Sequence, residues 1–365
     1  MDIIKGKRHL TGITVDSFTH PLDLAAYEQM MRIPMMPQFL AALHKYTAEI
    51  PILVDHYSNS VRVTSKNYGK LHDILLESCQ VLDMSPPELF VQHSFHTNAY
   101  AVGVKNPTIC LFSGLLEILD DDEVQCVIAH ELGHLKARHI IYQMMIVFSM
   151  EQGGKMLTSL FPGITKAVFK MLIMALISWI RKCELTADRA ALLVVQDPKI
   201  VVQTCMKLAG GVNRPDYKMD FEEFLTQGKL LEGILKGNDI TSTVASLRYW
   251  LSNIGVTHPF PVPRASIAYE WGTSDEYKDI IAGHYKRYPT KTCPKCNCET
   301  TEHNQACPSC LHKFSLKDME NTIFCYDCGH SIIVETYKNK DLKFCPECGS
   351  DLNNGKNIFN KYQWV

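Results

Sequence analysis

Two histidines four residues apart, His130 and His134, flank Glu131 and are the feature that most restricts how this chain can fold. On an α-helix, residues four apart lie one above the other, so both imidazoles project from one face and can hold a single metal ion. Acidic residues 120–123 supply an N-cap and first-turn acids, and Lys136 lies near the predicted C-terminus. The motif therefore predicts a metal-binding helix, although a surface helix with two solvated histidines has the same pattern.

A second predicted helix, over residues 181–195, carries Glu184 with Asp188 one turn later on the same face. Two imidazoles and one carboxylate hold a zinc ion and leave a fourth position for water, which an adjacent glutamate can deprotonate. Asp188 can accept the second ring N–H of a ligating histidine and fix its orientation. Solvated acids paired with Lys182 and Arg189 are the alternative, but both helices are otherwise apolar. The combined pattern predicts a zinc metalloprotease site.

With these residues placed, the sequence resembles the HtpX-like and CAAX-prenyl-protease-like zinc peptidases, which belong to the gluzincins. The resemblance covers about residues 70–270 and is carried by residues 98–103, residues 108–117, the acidic run before His130, residues 257–259 and Arg264. It implies an α+β fold, in which a mostly helical gluzincin peptidase domain contains a small β-sheet. Helices are also expected after Pro21 and over residues 221–235 and 240–254.

The resemblance implies a role for each matching residue. His130, His134 and Glu184 become the zinc ligands, Glu131 the catalytic general base, and Asp188 the residue that orients a ligand. His258 becomes a catalytic oxyanion stabiliser or a closing ligand, while a loop histidine ahead of a proline remains the alternative. Arg264 anchors its loop or pairs with a carboxylate near the zinc.

The resemblance further implies that a short strand binds the substrate. The strand comprises Asn98, Ala99, Tyr100 and Ala101. An extended peptide would dock on it through main-chain hydrogen bonds. The same alternating character also suits an ordinary half-buried strand, so both interpretations stay open.

The first 51 residues show neither an uninterrupted apolar run nor the pattern of a signal peptide, which predicts a cytoplasmic protein. Residues 140–150 and 167–180 are apolar and lie between the two zinc helices, where some relatives have a membrane hairpin. The first stretch is short and Lys170 interrupts the second, so a buried or interfacial helical hairpin is expected. Membrane association through residues 140–182, flanked by basic side chains, is the open alternative.

Nine of the fourteen cysteines follow residue 290, and eight of them form C-x-x-C knuckles. The knuckle cysteines are Cys293, Cys296, Cys307, Cys310, Cys325, Cys328, Cys345 and Cys348. Each pair of knuckles supplies the four thiolates of a structural zinc, so the spacing predicts a small β-rich module of tandem zinc ribbons. Together with the catalytic site, three zinc ions are expected. Cys298 is interpreted as a small residue rather than a spare ligand, and a disulfide framework is disfavoured without a secretory signal.

Charge decides which partners the ribbons favour. Residues 285–365 contain 11 Lys and Arg against 9 Asp and Glu, without the basic stripe that nucleic-acid binding usually needs. A protein-binding module and a structural cap remain equally open. The predicted organisation is an N-terminal helical extension (residues 1–65), a zinc metallopeptidase domain (66–285) and tandem ribbons (292–365).

The function predicted from these patterns is zinc-dependent endopeptidase activity on unfolded or extended polypeptides, with a role in protein quality control implied by the resemblance. Processing of prenylated peptides is less consistent with the chain, which lacks a counterpart of the large membrane chamber of that relative. The alternative from another class is an adaptor or chaperone-like binding protein that acts through the ribbons and keeps a latent peptidase site.

Overall fold

The computed structural model describes residues 3–4, 6–34, 36, 49–103, 106–140, 142–143, 165–211, 214, 216–235, 258, 260–314, 322–324 and 331–333. These residues form a mostly helical protein with a small mixed sheet, as predicted for the peptidase part of the chain. The helix expected over residues 240–254 lies outside the described residues.

The α-helices of the described residues are, in chain order, α1 (Pro21–Met31), α2 (Glu49–Asn59), α3 (Gly69–Val81), α4 (Ser113–Ile118), α5 (Asp121–Lys136), α6 (Lys166–Val195), α7 (Pro198–Gly210), α8 (Phe221–Leu235), α9 (Pro261–Thr273) and α10 (Asp275–Ala282). The helices expected after Pro21 and over residues 221–235 are confirmed as α1 and α8.

The strands are β1 (Ile3–Ile4), β2 (Lys7–Arg8), β3 (Ser60–Arg62), β4 (Glu88–Gln92), β5 (Ala99–Val102), β6 (Thr108–Phe112), β7 (Thr290–Thr292), β8 (Glu299–Thr301), β9 (Thr322–Phe324) and β10 (Ser331–Ile333). Four of them form a sheet in the order β3-β4-β6-β5, in which β4 and β6 are parallel and the other neighbours antiparallel. β5, the predicted substrate strand, is therefore an edge strand of this sheet.

Helix α5, which carries the two motif histidines, begins with a complete capping box. The backbone N–H of Glu123 donates to the Asp120 carboxylate (3.0 Å), and the Glu123 carboxylate accepts from the N–H of Asp120 (2.8 Å). Lys207 on α7 adds an ion pair of 2.6 Å to the buried Glu123. These contacts satisfy N–H groups that every helix start leaves unpaired, so the start of α5 is firmly defined.

Helix α6, which carries Glu184 and Asp188, begins at Lys166, well before the predicted start at residue 181. Its second half lies in the main core, whereas its first half packs on α1 through a separate apolar cluster that includes Met30, Leu172 and Trp179. The apolar residues 167–180 thus belong to one continuous helix that also carries Glu184 and Asp188. Residues 144–164, which hold the rest of the predicted hairpin, lie outside the described residues.

No helix in the described part of the chain combines the length and the apolar character needed to cross a bilayer.

The first cysteine-rich segment is attached to the helical part of the chain through the buried carboxylate of Asp83, just after α3. Its oxygens accept from the backbone N–H groups of Gly12 (2.7 Å) and Thr301 (2.8 Å), from the Asn304 amide (3.1 Å) and from the Thr300 hydroxyl. Thr300 and Thr301 lie on β8, which pairs with β7 in an antiparallel hairpin. One carboxylate therefore joins three separate parts of the sequence.

We expect Asp83→Asn to lower the free energy of unfolding by about 1–3 kcal/mol, because an amide group must then face donors that now meet a carboxylate oxygen. Asparagine tolerates the left-handed backbone of residue 83 (φ 47°), so the change tests the hydrogen bonds and not the backbone. Urea unfolding measures the effect. Asp73→Asn, on the exposed face of α3, is the control and should change stability little; equal stability of both variants would contradict this account.

Candidate active site

The three predicted metal ligands converge in the interior of the protein. His130 and His134 lie on adjacent turns of α5, and their Nε2 atoms are 3.2 Å apart. Glu184 reaches them from α6, with Oε2 lying 3.4 Å from Nε2 of His130 and Oε1 lying 3.2 Å from Nε2 of His134. The structure therefore brings together residues that are separated by about fifty positions in the sequence.

A close approach of α5 to α6 makes this convergence possible. A Cβ atom at Gly133 would lie 2.7 Å from Cβ of Ala190 and 3.0 Å from Cα of Ala187, closer than real Cβ contacts. Only glycine at this position lets the two helix backbones approach so closely, and the small Ala187 and Ala190 complete the contact. Gly133 thus sets the distance between the motif histidines and Glu184.

The arrangement of hydrogen-bonding groups fits a bound cation. Nδ1 of His130 lies 3.0 Å from Oδ1 of Asp188, so Nδ1 carries a ring proton and Nε2, which faces Glu184, is the nitrogen that a metal would bind. Oε1 of Glu184 is buried and accepts no hydrogen bond from the described residues. Two imidazole nitrogens and one carboxylate are the donor set of a catalytic zinc site, and with His258 they form a group whose ligand atoms all lie within 4.8 Å of one another.

Burial and neighbouring charges pull the pKa values of the two histidines apart. Burial lowers the pKa of His134 to about 4, so this ring is neutral at physiological pH. Burial would also lower the pKa of His130, but the hydrogen bonds to Asp188 and Glu184 outweigh it and raise the pKa to about 9. Divergent pKa values in one buried cluster are typical of functional sites.

Arg264, near the start of α9, pairs with both carboxylates that face the histidines. Its guanidinium binds Asp188 through two hydrogen bonds, of 2.8 Å from Nε and 2.6 Å from Nη2. A third, of 2.8 Å, runs from Nη1 to Oε2 of Glu184. Although burial opposes ionisation of Asp188, the Arg264 charge and these bonds hold the pKa of that carboxyl below its usual range. Of the two roles left open by the sequence, the observed contacts are those of carboxylate pairing.

His258 lies across the mouth of the site. Nδ1 is 3.1 Å from Oε2 of Glu184, while Nε2 is 2.9 Å from the backbone oxygen of Ala99 and 3.2 Å from Oε1 of Glu131. All three partners are acceptors, so both ring nitrogens act as donors here. Glu184 and Glu131 accordingly raise the pKa of His258 against the effect of burial. His258 thus contacts the predicted base, a predicted ligand and the edge strand at once.

Strand β5 presents its backbone toward this site. The N–H of Phe112 on β6 donates to the oxygen of Asn98 (2.9 Å), and bonded and non-bonded pairs alternate along an antiparallel ladder. The backbone groups of Ala99 and Ala101 therefore point away from β6, toward the outer edge of the described sheet. The oxygen of Ala99 is the one that accepts from His258.

A cavity of about 230 Å³ extends from the histidines between α5, α7 and β5. Its walls include the apolar side chains of Leu115, Val127, Val201 and Leu208, while His130, Glu131 and Arg264 form its polar end. A mostly apolar cavity with a few converging polar groups has the composition of a ligand-binding pocket.

The cysteine-rich tail contains one four-cysteine group among its described residues. The ligand atoms of Cys293, Cys296, Cys307 and Cys310 all lie within 4.8 Å of one another, which is compatible with a structural metal site. Cys298 packs against this group without being part of it, and its thiol lies 3.6 Å from the oxygen of Glu299. The second predicted set, Cys325, Cys328, Cys345 and Cys348, lies outside the described residues, although β9 and β10 pair as an antiparallel hairpin.

Sequence reasoning missed a buried group on the other side of His134, formed by Asp23, His139 and Cys183. His139 follows the motif by five residues and could have been noticed. Asp23 is more than a hundred positions away, and nothing in its local sequence distinguishes it from a first-turn acid of α1. Cys183 is buried as well, which is common for a cysteine in an apolar stretch.

These features together define a class: two histidines on one helix, a glutamate and an aspartate on its neighbour, and an acidic residue beside an edge strand are the parts of a zinc-dependent metallopeptidase. Residues 65–271, more than half of the chain, match the model of peptidase family M48. The chain therefore belongs to peptidase family M48, and the predicted HtpX-like relationship is confirmed.

Individual relatives agree with this assignment. The chain is 33% identical over 274 residues to the plastoglobule-localized metallopeptidase 48 of Arabidopsis thaliana chloroplasts, covering 74% of this chain and 76% of the relative. It is 26% identical over 175 residues to protease HtpX homolog 1 of Streptomyces coelicolor, and 27% identical over 179 residues to the HtpX homolog of Helicobacter acinonychis. These matches cover 42% and 43% of this chain and 57% and 58% of the bacterial relatives. No solved structure is significantly similar.

We expect Gly133→Ala to weaken zinc binding, because the added methyl forces α5 and α6 apart and withdraws Glu184 from the histidines. Overpacking of this kind costs about 1–3 kcal/mol of stability. Zinc affinity, measured by competition with a chelator, and thermal unfolding check both effects.

Gly233→Ala is the matched control, because that glycine lies within α8 and a Cβ there would meet nothing within 4 Å. It should stabilise the helix slightly, by about 0.5–1 kcal/mol. Combining Gly133→Ala with Ala190→Gly removes the nearest clashing atom and should restore part of the zinc affinity. Unchanged affinity in Gly133→Ala would show that the helix spacing does not depend on this glycine.

Proposed function

We propose that this chain is a zinc-dependent endopeptidase that hydrolyses peptide bonds in unfolded or extended polypeptides. The observation that carries the proposal is the position of Glu131. It is buried beside His130, His134 and Glu184. A single residue, His258, connects its carboxylate to the backbone oxygen of Ala99 on β5. A carboxylate in this position can accept a proton from water next to a metal, whereas a purely structural zinc site does not require a general base.

His130, His134 and Glu184 would hold the zinc, which when bound polarises the scissile carbonyl and makes a water molecule more acidic. Glu131 then accepts a proton from the attacking water at a carboxylate oxygen and later returns it to the leaving amine. Asp188 holds the His130 ring by accepting its Nδ1 proton. Arg264, in turn, holds the Asp188 and Glu184 carboxylates in place.

The edge strand supplies a surface for substrate. The outward N–H and C=O groups of Ala99 and Ala101 can pair with an extended peptide, which would lie as a further strand beside β5. Main-chain pairing selects for extended chain and not for one sequence, which supports unfolded polypeptides as the substrate class. A setting in protein quality control follows from this substrate class as part of the proposal.

His258 controls access in the proposal. It hydrogen-bonds the oxygen of Ala99 and contacts Glu131, so a peptide that pairs with Ala99 must displace it. These two contacts support a closing role. An oxyanion-stabilising role would require the ring to turn toward the substrate carbonyl once the peptide is bound, and the experiment below separates the two.

The proposal further comprises one catalytic zinc, two structural zinc ions in tandem ribbons, and a cytoplasmic location, with association through residues 140–182 with a membrane surface as the alternative. The four-cysteine group at Cys293 supports the first ribbon, and its packing on Asp83 favours a structural role for that ribbon. The proposal also gives the module a protein partner, which a pull-down with the full-length protein would test.

We expect Glu131→Gln to lower kcat/KM for casein cleavage by about 10²–10⁴-fold while zinc content stays the same, because the amide cannot accept the proton from water. Cleavage is followed with purified full-length protein supplied with zinc, and metal content is measured on the same samples. If the variant keeps both its zinc and full activity, Glu131 is not the base. If neither protein cleaves casein although both hold zinc, a latent site or an adaptor function is favoured.

We expect His258→Ala to raise cleavage of a short fluorogenic peptide if the residue mainly closes the site, and to lower kcat if it stabilises the oxyanion. Measuring kcat and KM separately distinguishes the outcomes, since loss of a closing residue acts mostly on KM and loss of an oxyanion stabiliser acts on kcat. His284→Ala, at an exposed histidine just after α10, is the control and should leave both constants unchanged.

A further inference from the structure

The zinc ligand His134 has a chain of buried groups behind it that the proposed mechanism does not use. Nδ1 of His134 lies 3.1 Å from Nδ1 of His139, and Nε2 of His139 lies 3.3 Å from Oδ2 of Asp23. His134, His139 and Asp23 are at most 3% exposed. The row therefore runs from the metal site to helix α1, which lies outside the residues that match the family model.

The positions of the ring protons follow from the contacts. Two Nδ1 atoms 3.1 Å apart need one proton between them, so one ring donates and the other accepts. His134 presents Nε2 to the metal group, so its proton is on Nδ1 and it is the donor. Nδ1 of His139 then accepts, which leaves the proton of that ring on Nε2, where it is donated to Asp23. Each atom in the row has one compatible role.

The same reasoning argues against a second metal ion, although Asp23, His139 and Cys183 place three ligand atoms within 4.8 Å. A metal on Nε2 of His139 would move the ring proton to Nδ1, where it would face the Nδ1 proton of His134. The Asp23 oxygens are also occupied by protein donors, from Trp179 (2.7 Å) and Thr186 (2.5 Å). The Cys183 thiol also donates to an Asp23 oxygen, at 3.6 Å.

The helix has to be interrupted between His134 and His139 to bring His139 into this row. In a continuous helix, five residues turn through about 500°, which would leave His139 roughly 140° around the axis from His134. Helix α5 instead ends at Lys136, and Arg138 adopts the left-handed backbone conformation (φ 60°), which turns the following residue back. A non-glycine residue in this conformation is held there by its surroundings.

We propose that Asp23 is a positioning residue for the zinc ligand His134 and acts through His139, which it holds in the tautomer that accepts the His134 proton. The inference rests on the proposed function, since it takes His134 as a zinc ligand. Both zinc histidines are then oriented by a buried aspartate, His130 directly by Asp188 and His134 through an intermediate imidazole. Helix α1 becomes part of the metal site although it lies far from it in the sequence.

Zinc affinity of the full-length protein, measured by chelator competition, tests the role of the Asp23–His139–His134 row, or relay, without any peptide substrate. Asp23→Asn and His139→Phe should each weaken zinc binding by about 10–100-fold, the usual effect of removing a group that orients a metal ligand. The double variant should be no weaker than the weaker single variant, because both changes interrupt one row. Histidine-selective ¹⁵N spectra should place the wild-type His134 proton on Nδ1 and show that assignment lost in Asp23→Asn.

Met30→Ala is the matched control, because Met30 is buried on the same helix and packs against α6 without touching the row. It should lower the melting temperature and leave zinc affinity unchanged. The proposal is overturned if Asp23→Asn binds zinc as tightly as wild type. It is overturned as well if Met30→Ala, at a melting temperature lowered as much as that of Asp23→Asn, loses as much zinc affinity as Asp23→Asn does. It is also overturned if the wild type binds no zinc at this site. If Asp23→Asn weakens zinc while Glu131→Gln retains full proteolysis, the relay stands and the proposed function fails.

Discussion

The contact between helices α5 and α6 at Gly133 is the constraint on which the rest of the site depends. It brings a glutamate on one helix to histidines on the other, and no compensating movement of side chains could replace it, because the atoms in contact are backbone and Cβ. A glycine within a helix lowers helix stability by roughly 0.5–1 kcal/mol relative to alanine. The capping box at Asp120 and the buried Glu123–Lys207 pair stabilise the same helix and offset that loss.

Electrostatics explain why the buried site needs so many partners. Two buried carboxylates, those of Glu184 and Asp188, share one guanidinium, that of Arg264, in an interior where unpaired charge is very unfavourable. The third buried carboxylate, that of Glu131, has the His258 ring as its partner. Arg264 also fixes geometry, since its planar group forms a fork with Asp188 that lysine could not reproduce.

Local signals in the sequence were enough to predict the centre of this site. The spacing of His130 and His134, the acidic helix start, and the Glu184–Asp188 turn each follow from helix periodicity, and the strand at Ala99 follows from its alternation. Asp23 and Asp83 could not be found in this way. Both act through contacts with residues more than a hundred positions away, and their neighbours resemble an ordinary helix start and an ordinary turn. The continuity of α6 was missed because residues 167–180 were assigned to a helical hairpin and residues 181–195 to a separate helix, whereas the structure joins both stretches in one helix.

The hydrogen bonds around Asp83 have a consequence for how the chain can be shortened. Lys136, the last residue of α5, donates to the backbone oxygen of Leu82, and the β7–β8 hairpin donates to the neighbouring Asp83, so the helix end and the hairpin meet on two consecutive residues. Removing everything after residue 285 would uncover a carboxylate that three donors from β8 and Asn304 now shield. A protein trimmed to its family-matched region would therefore carry an unshielded acid next to Leu82, the residue that accepts a hydrogen bond from the end of the helix holding His130 and His134.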